Sequence, residues 1–168
     1  MKSTSIILLL AIVPACWGAD QAAMTLAGSV VADSCQLAAG DDGQRVSLGE
    51  LTLEQVRTGK QGDWKALVLN FEHCTGTVTF DIIHQGSVDT NNPKLLAAQG
   101  IGKGVGIELQ VQPSTVGSYT PVTLNNSLIG WKLAGNRAIN YRVRLHPNGA
   151  TAGVGNVVGN LAIQITWR

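Results

Sequence analysis

The sequence predicts an all-β sandwich, and three observations carry that prediction. Apolar and polar residues alternate with period two in short runs from one end of the chain to the other. Clusters of Gly, Asn, Asp and Pro separate the runs. No stretch repeats apolar residues with the 3.6-residue spacing of a long amphipathic helix. The 168 residues suit one domain, and 45% hydrophobic positions give it a core. Only 14% are charged, against about a quarter in ordinary globular chains. Twelve Lys and Arg against eleven Asp and Glu leave +1, which provides no electrostatic footprint for nucleic acid. Disorder would need low hydrophobicity with high net charge. Twenty Gly and five Pro without a strict period exclude a collagen-like chain.

Met1-Lys2 and the apolar run Ile6–Val13 open the chain. Eight residues cannot cross a bilayer, which needs roughly 20 in a helix. They fit the core of a secretory signal, and small residues at Cys16 and Gly18 place cleavage before Ala19. Residues 1–18 are therefore expected to be a signal peptide. Lipidation at Cys16 is disfavoured by Pro14 beside the acceptor site. Loss of Lys2 with the signal leaves equal numbers of basic and acidic residues.

Export decides the reading of the remaining cysteines, Cys35 and Cys74. In an oxidising compartment they are expected to form a structural disulfide. Closing a loop of about 40 residues contributes on the order of 4 kcal/mol in the chain-entropy model. Zinc would need four ligands, or three and a water, and His73, His84 and His146 are widely scattered. No C-x-x-C supports thiol redox chemistry.

Strands follow in order. Met24, Leu26, Gly28 and Val30 alternate with Thr25, Ala27 and Ser29; Leu67, Leu69 and Phe71 alternate before Cys74. Thr77–His84, Val105–Gln112 and Ile139–His146 read the same way, and Leu161, Ile163, Ile165 and Trp167 form one apolar face at the C-terminus. Leu51–Arg57 has room for a helical turn or two. Turns are expected at Gly40–Gly43, Asn91–Pro93, Asn125-Asn126 and Pro147–Gly149. Six or seven short strands with one long-range disulfide argue for a β-sandwich.

Catalytic patterns are weak. No G-x-S-x-G frames a serine. The run Gly100–Gly106 fails G-x-G-x-x-G, because Val105 stands at the third glycine, and no G-K-[ST] follows. It reads as a flexible turn into the next strand. Asp41-Asp42 lie in a turn, and His84 and His146 end strands, where solvated histidines are ordinary. Arg142 and Arg144 are expected on an exposed strand face, solvated or protecting an edge. Trp64 and Trp131 are expected in the core. Asn125-Asn126-Ser127 matches the glycosylation sequon, which matters only in a cell with that machinery. The reading is of a non-enzymatic chain with no catalytic residue, no metal and no cofactor.

Taken in order, several motifs resemble the subunits of chaperone–usher fimbriae, most similar to minor pilins of type 1-like fimbriae. They are Met24-Thr25-Leu26-Ala27-Gly28-Ser29-Val30, Cys35, Leu67-x-Leu69-x-Phe71-x-x-Cys74, Gly104-Val105-Gly106-Ile107-x-Leu109 and Tyr141-Arg142-Val143-Arg144-Leu145. Leu161-x-Ile163-x-Ile165-x-Trp167-Arg168 completes them, with Gly155 fourteenth from the C-terminus as in that family. The resemblance covers 19–168. Trp167 departs from it, standing where Tyr is usual.

The resemblance implies an incomplete immunoglobulin-like β-sandwich, completed by a donor strand from a neighbouring subunit. Residues 19–30 would be a donor extension running into the first strand, and 31–168 the pilin domain. Ala22, Met24, Leu26 and Gly28 would enter a neighbour's groove. Gly155, Leu161, Ile163, Ile165, Trp167 and Arg168 would form the subunit's own groove wall and its chaperone-binding strand, with the terminal carboxylate of Arg168 offered to basic residues of the chaperone. The partners implied are a periplasmic pilus chaperone, an outer-membrane usher and neighbouring fimbrial subunits. A host receptor would be met only through the assembled fimbria at the cell surface. The position implied is a minor or tip-adaptor pilin. The alternative is a secreted stand-alone carbohydrate- or ligand-binding β-sandwich, for which Trp64 and Trp131 are the candidate aromatics.

Overall fold

A computed structural model describes residues 35–74, 76–112, 117–133 and 138–168. In chain order the elements are β1 (Gln36–Leu37), α1 (Leu53–Arg57), β2 (Lys65–Glu72), β3 (Val78–Gln85), β4 (Leu96–Ala97) and β5 (Gln99–Gly100). Then come β6 (Val105–Gln112), β7 (Thr120–Pro121), β8 (Ser127–Leu133), β9 (Ala138–Pro147), β10 (Val157–Val158) and β11 (Ala162–Trp167). One sheet runs β1-β2-β9-β6-β4, with β7 also on β6. The facing sheet is β11-β3-β8, and β5 with β10 makes a separate ribbon. Every named pair is antiparallel.

Alternation explains the layers. On β3, Val78, Phe80, Ile82 and His84 point inward and are fully buried, while Thr79, Asp81 and Ile83 are half-buried on the outer face. On β9 the inward set is Ile139, Tyr141, Val143 and Leu145; on β6 it is Ile107, Leu109 and Val111. These three strands supply most of the core. The disulfide Cys35–Cys74 is present, tying the residue just before β1 to the end of the β2 segment. Helix α1 is held by a capping box: Gln55 N–H donates to Thr52 Oγ1, and Thr52 N–H donates to Gln55 Oε1 at 2.8 Å.

The strand β8 was not legible as an alternating run, because its pairing with β3 slips by one residue between Phe80 and Ile82. Gly130, at φ +73°, takes up the extra residue, and its N–H donates to Asp81 Oδ1. Leu128 therefore sits three positions from Trp131, not two, and the period breaks.

Candidate functional site

Among the described residues the two sheets do not close along one side, and a groove of about 1170 Å³ opens there, with an apolar floor. One bank is the start of β11 with the segment leading into it; the other is a stretch over 44–51 that carries no strand pairing among the described residues. Leu69, Ile107, Leu109, Val143 and Leu145 make the floor, contributed by β2, β6 and β9. Among the described residues β11 pairs with β3 alone, so its other edge carries unpaired backbone groups toward the groove. Such an edge is a template for another strand.

Of the sequence-predicted wall residues, Gly155, Leu161 and Ile163 line the groove, and Ile165, Trp167 and Arg168 lie farther along the same segment, outside its lining. Leu161, Ile163, Ile165 and Trp167 share one face of the segment and pack on the core, but all four are only half-buried. Covering the remainder would contribute roughly 1 kcal/mol or more apiece at the usual area coefficient. Trp167 stands past the groove lining at the end of the strand, where its ring meets Phe71 and Phe80 at 5.5 Å each in edge-to-face geometry. Phe71 belongs to one sheet and Phe80 to the other, so the aromatic ring bridges the sandwich. Arg168 pins the strand end, with its N–H donating to Thr79 O and its Nε donating to Asp81 Oδ2 at 2.7 Å. That hydrogen bond first, and the one from Gly130 N–H next, hold the Asp81 carboxyl below its usual range.

Gly155 stands at the other end of the same bank, at φ +144°. A Cβ there would lie 2.5 Å from Gly102 N and 2.8 Å from the Ile101 carbonyl carbon. A Cβ on Gly102 would in turn meet Gly155 O at 2.6 Å. The two glycines interlock, and only residues without side chains allow the approach. The glycine run expected as a flexible turn is thus half of a paired ribbon, with Gly100 opposite Val157 and Lys103 bridged to Gly153.

The donor residues expected at Ala22, Met24, Leu26 and Gly28, and the signal over 1–18, lie outside the described residues. Sequence reasoning missed the bank over 44–51, where Val46 and Leu48 are half-buried against the core. Its signal was a single alternation, Val46-Ser47-Leu48, bounded by glycines.

The chain is 27% identical over 141 residues to the Fimbria A protein of Serratia marcescens, covering 78% of this chain and 74% of that protein. A chain from the structure of a chaperone–usher pilus, described for the basis of rod uncoiling, superposes with a TM-score of 0.65 at 18% identity, covering 90% of this chain and 98% of that one. The P pilus rod subunit PapA gives 0.61 at 15%, covering 80% of this chain and 99% of its own. This chain has the pilin fold. No family model matches it. The likeness in sequence is to a fimbrial protein, and the likeness in structure is to subunits of chaperone–usher pili.

Outside the groove, three expectations about this pilin-fold domain need correction. His84 is fully buried, not a solvated strand end, because β3 runs on to Gln85 and the alternation turns His84 inward. Its Nε2 lies 3.0 Å from Tyr141 Oη across the sandwich, and its Nδ1 is buried without a partner. Burial drops its pKa from 6.5 to about 4 and pushes the Tyr141 hydroxyl up. Arg142 and Arg144 guard no edge, since β9 lies between β2 and β6. Arg144 pairs with Glu108 at 2.7 Å, and Arg142 donates to Gln110 Oε1. Trp64 is half-buried on this outer face, with both guanidinium groups over its ring at 4.4 and 4.0 Å; Tyr119 meets Arg142 at 4.4 Å. Trp131 packs edge-on to Phe80 at the rim of the core.

Proposed function

We propose that the chain is a structural subunit of an adhesive surface fimbria that polymerises head-to-tail by donor-strand exchange. The observation that carries this reading is the open groove beside the unpaired edge of β11, with apolar floor and half-covered wall. One added strand would pair that edge and cover Leu161, Ile163 and Ile165 together. In this reading residues 1–18 direct export to the periplasm. A periplasmic chaperone first fills the groove and delivers the subunit to an outer-membrane usher. The donor residues Ala22, Met24, Leu26 and Gly28 of the next subunit then replace the chaperone. Residues 19–30 form the donor extension, and 31–168 the acceptor body. Gly155 and Leu161–Arg168 form the wall that chaperone and donor both engage, with the terminal carboxylate of Arg168 held for basic residues of the chaperone.

Exchange of this kind is heterologous and need not close, so it builds a fibre. The motif resemblance favours a minor or tip-adaptor position. Labelling assembled fibres for this chain tests that: label along the whole shaft excludes it. The exchange itself is tested by deleting residues 19–27. The expected outcome is a stable, chaperone-bound subunit that adds to no fibre as a donor; fibres that still incorporate it as a donor would refute the mechanism.

A further inference from the structure

The ribbon of β5 and β10 continues the groove bank beyond the sandwich and carries exposed apolar side chains. Ile101 is 79% exposed, Val154 74% and Val158 60%. Val154 and Val158 also line the groove, so the ribbon adjoins the wall. Polar or small residues would suffice if the ribbon only closed the sandwich end. The glycine interlock of Gly102 and Gly155 fixes the ribbon's backbone, so these side chains are held out on a rigid base.

We propose that this ribbon tip is a docking surface for the globular body of a second copy of this chain, the copy whose strand fills the groove. The inference rests on the donor-strand reading, in its form where copies of this chain follow one another as a minor pilin, and adds a second contact to it. Its geometric basis is the short tether. Seven peptide steps lead from Gly28, the last donor position, to Cys35, the residue just before β1. At full extension they span about 25 Å, so the donor's body must abut one end of the acceptor groove. Antiparallel addition, the sense of every pairing in the described sheets, puts the C-terminal end of the donor strand beside the N-terminal end of β11. That end is where the ribbon stands, three residues before β11. Parallel addition would carry the body to the opposite end, beside Trp167.

The test uses the mature chain with Ile101→Asp, beside Ile101→Ser as a milder variant, because Ile101 stands on the ribbon tip outside the groove lining. The position is largely solvent-exposed, so folding is expected to be kept. Two readouts are taken: capture of a synthetic peptide spanning residues 19–31, and the dissociation rate of head-to-tail complexes between full-length mature copies. The expected result is peptide capture within about twofold of the unsubstituted chain, and dissociation of copies accelerated about tenfold for Ile101→Asp, with a smaller effect for Ile101→Ser. Unchanged dissociation would overturn the inference, as would unsubstituted copies that capture the peptide but not one another. Equal loss of peptide capture would make the ribbon part of the strand site and overturn it too. Failure of the unsubstituted chain to capture the peptide would instead remove the donor-strand reading beneath it.

Discussion

Two halves of the same sandwich are finished to different degrees. Around β3 and β9, Phe80, Ile82, His84, Ile139 and Tyr141 have no exposed surface, and one hydrogen bond, His84 to Tyr141, joins the two sheets. Around β11 and the stretch over 44–51, the same inward alternation leaves Val46, Leu48, Ile163 and Ile165 half-covered. The residue types do not differ; both halves are aliphatic and aromatic. Among the described residues the difference is one strand. A sandwich edge whose apolar row is half-covered is stable only as far as the closed half can carry it, and the disulfide and the Phe80 cluster lie in or beside that half.

The largest expected effect comes from breaking the closed half. Phe80→Ala removes a ring packed between Trp131 and Trp167 and leaves a cavity under both. A loss of about 3–5 kcal/mol is expected in denaturant unfolding, whether or not the groove is filled. A loss that shrank strongly on filling the groove would mean the halves are not energetically separate.

Next is the pH dependence set by His84. The unfolded chain takes up its proton near 6.5, while the folded chain resists until about 4. The unfolded state therefore binds more protons between those values, and stability falls as pH drops through that window. It is fully present above about 6.5, and below about 4 this group contributes no further slope. The integrated loss is on the order of 3 kcal/mol. Asp81, whose pKa is lowered, acts later: its contribution is present above 3.8 and lost below it. His84→Gln keeps a partner for Tyr141 without titrating, and the slope between pH 6.5 and 4 is expected to vanish in melts taken across that range.

Much of the closed half was legible in the sequence, because both faces of its strands obey one period. Val105–Gln112 was bounded correctly, and β11 differs from its expected range only at its ends. The inward turn of His84 was also legible, since it continues Val78, Phe80 and Ile82 at intervals of two; reading it as a strand end hid the signal. The open half was harder. The stretch over 44–51 forms no ladder, so its two apolar residues never built a run. The ribbon was hidden for another reason: its pairing depends on Gly102 and Gly155 meeting from distant parts of the chain, and glycine carries no hydrophobic period.

A smaller effect sharpens the contrast directly. Ile163→Ala removes a side chain that is half-exposed in the open subunit. The expected cost there is about 1 kcal/mol, because part of the side chain already lies in water. With the groove filled by the 19–31 peptide the same substitution is expected to cost about 2–4 kcal/mol, as for a buried aliphatic residue. Equal costs in the two states would mean the added strand does not cover this wall.

The smallest effect provides the control, because it lies on the outer face of the closed sheet. Arg142 has its guanidinium over both Trp64 and Tyr119 and donates to Gln110, but it carries no carboxylate partner among the described residues. A half-exposed cation over two rings contributes about 0.5–1 kcal/mol, and some of that is aliphatic stem packing on the indole. Arg142→Ala is expected to lower stability by about that amount, equally in open and filled subunits, since β9 turns this side chain away from the groove floor. Lysine should recover little of it, because an ammonium cannot lie flat against two rings as a planar guanidinium does. If instead the loss doubled on filling, the outer face and the groove would be coupled through β9, and the two halves would have to be treated as one cooperative unit.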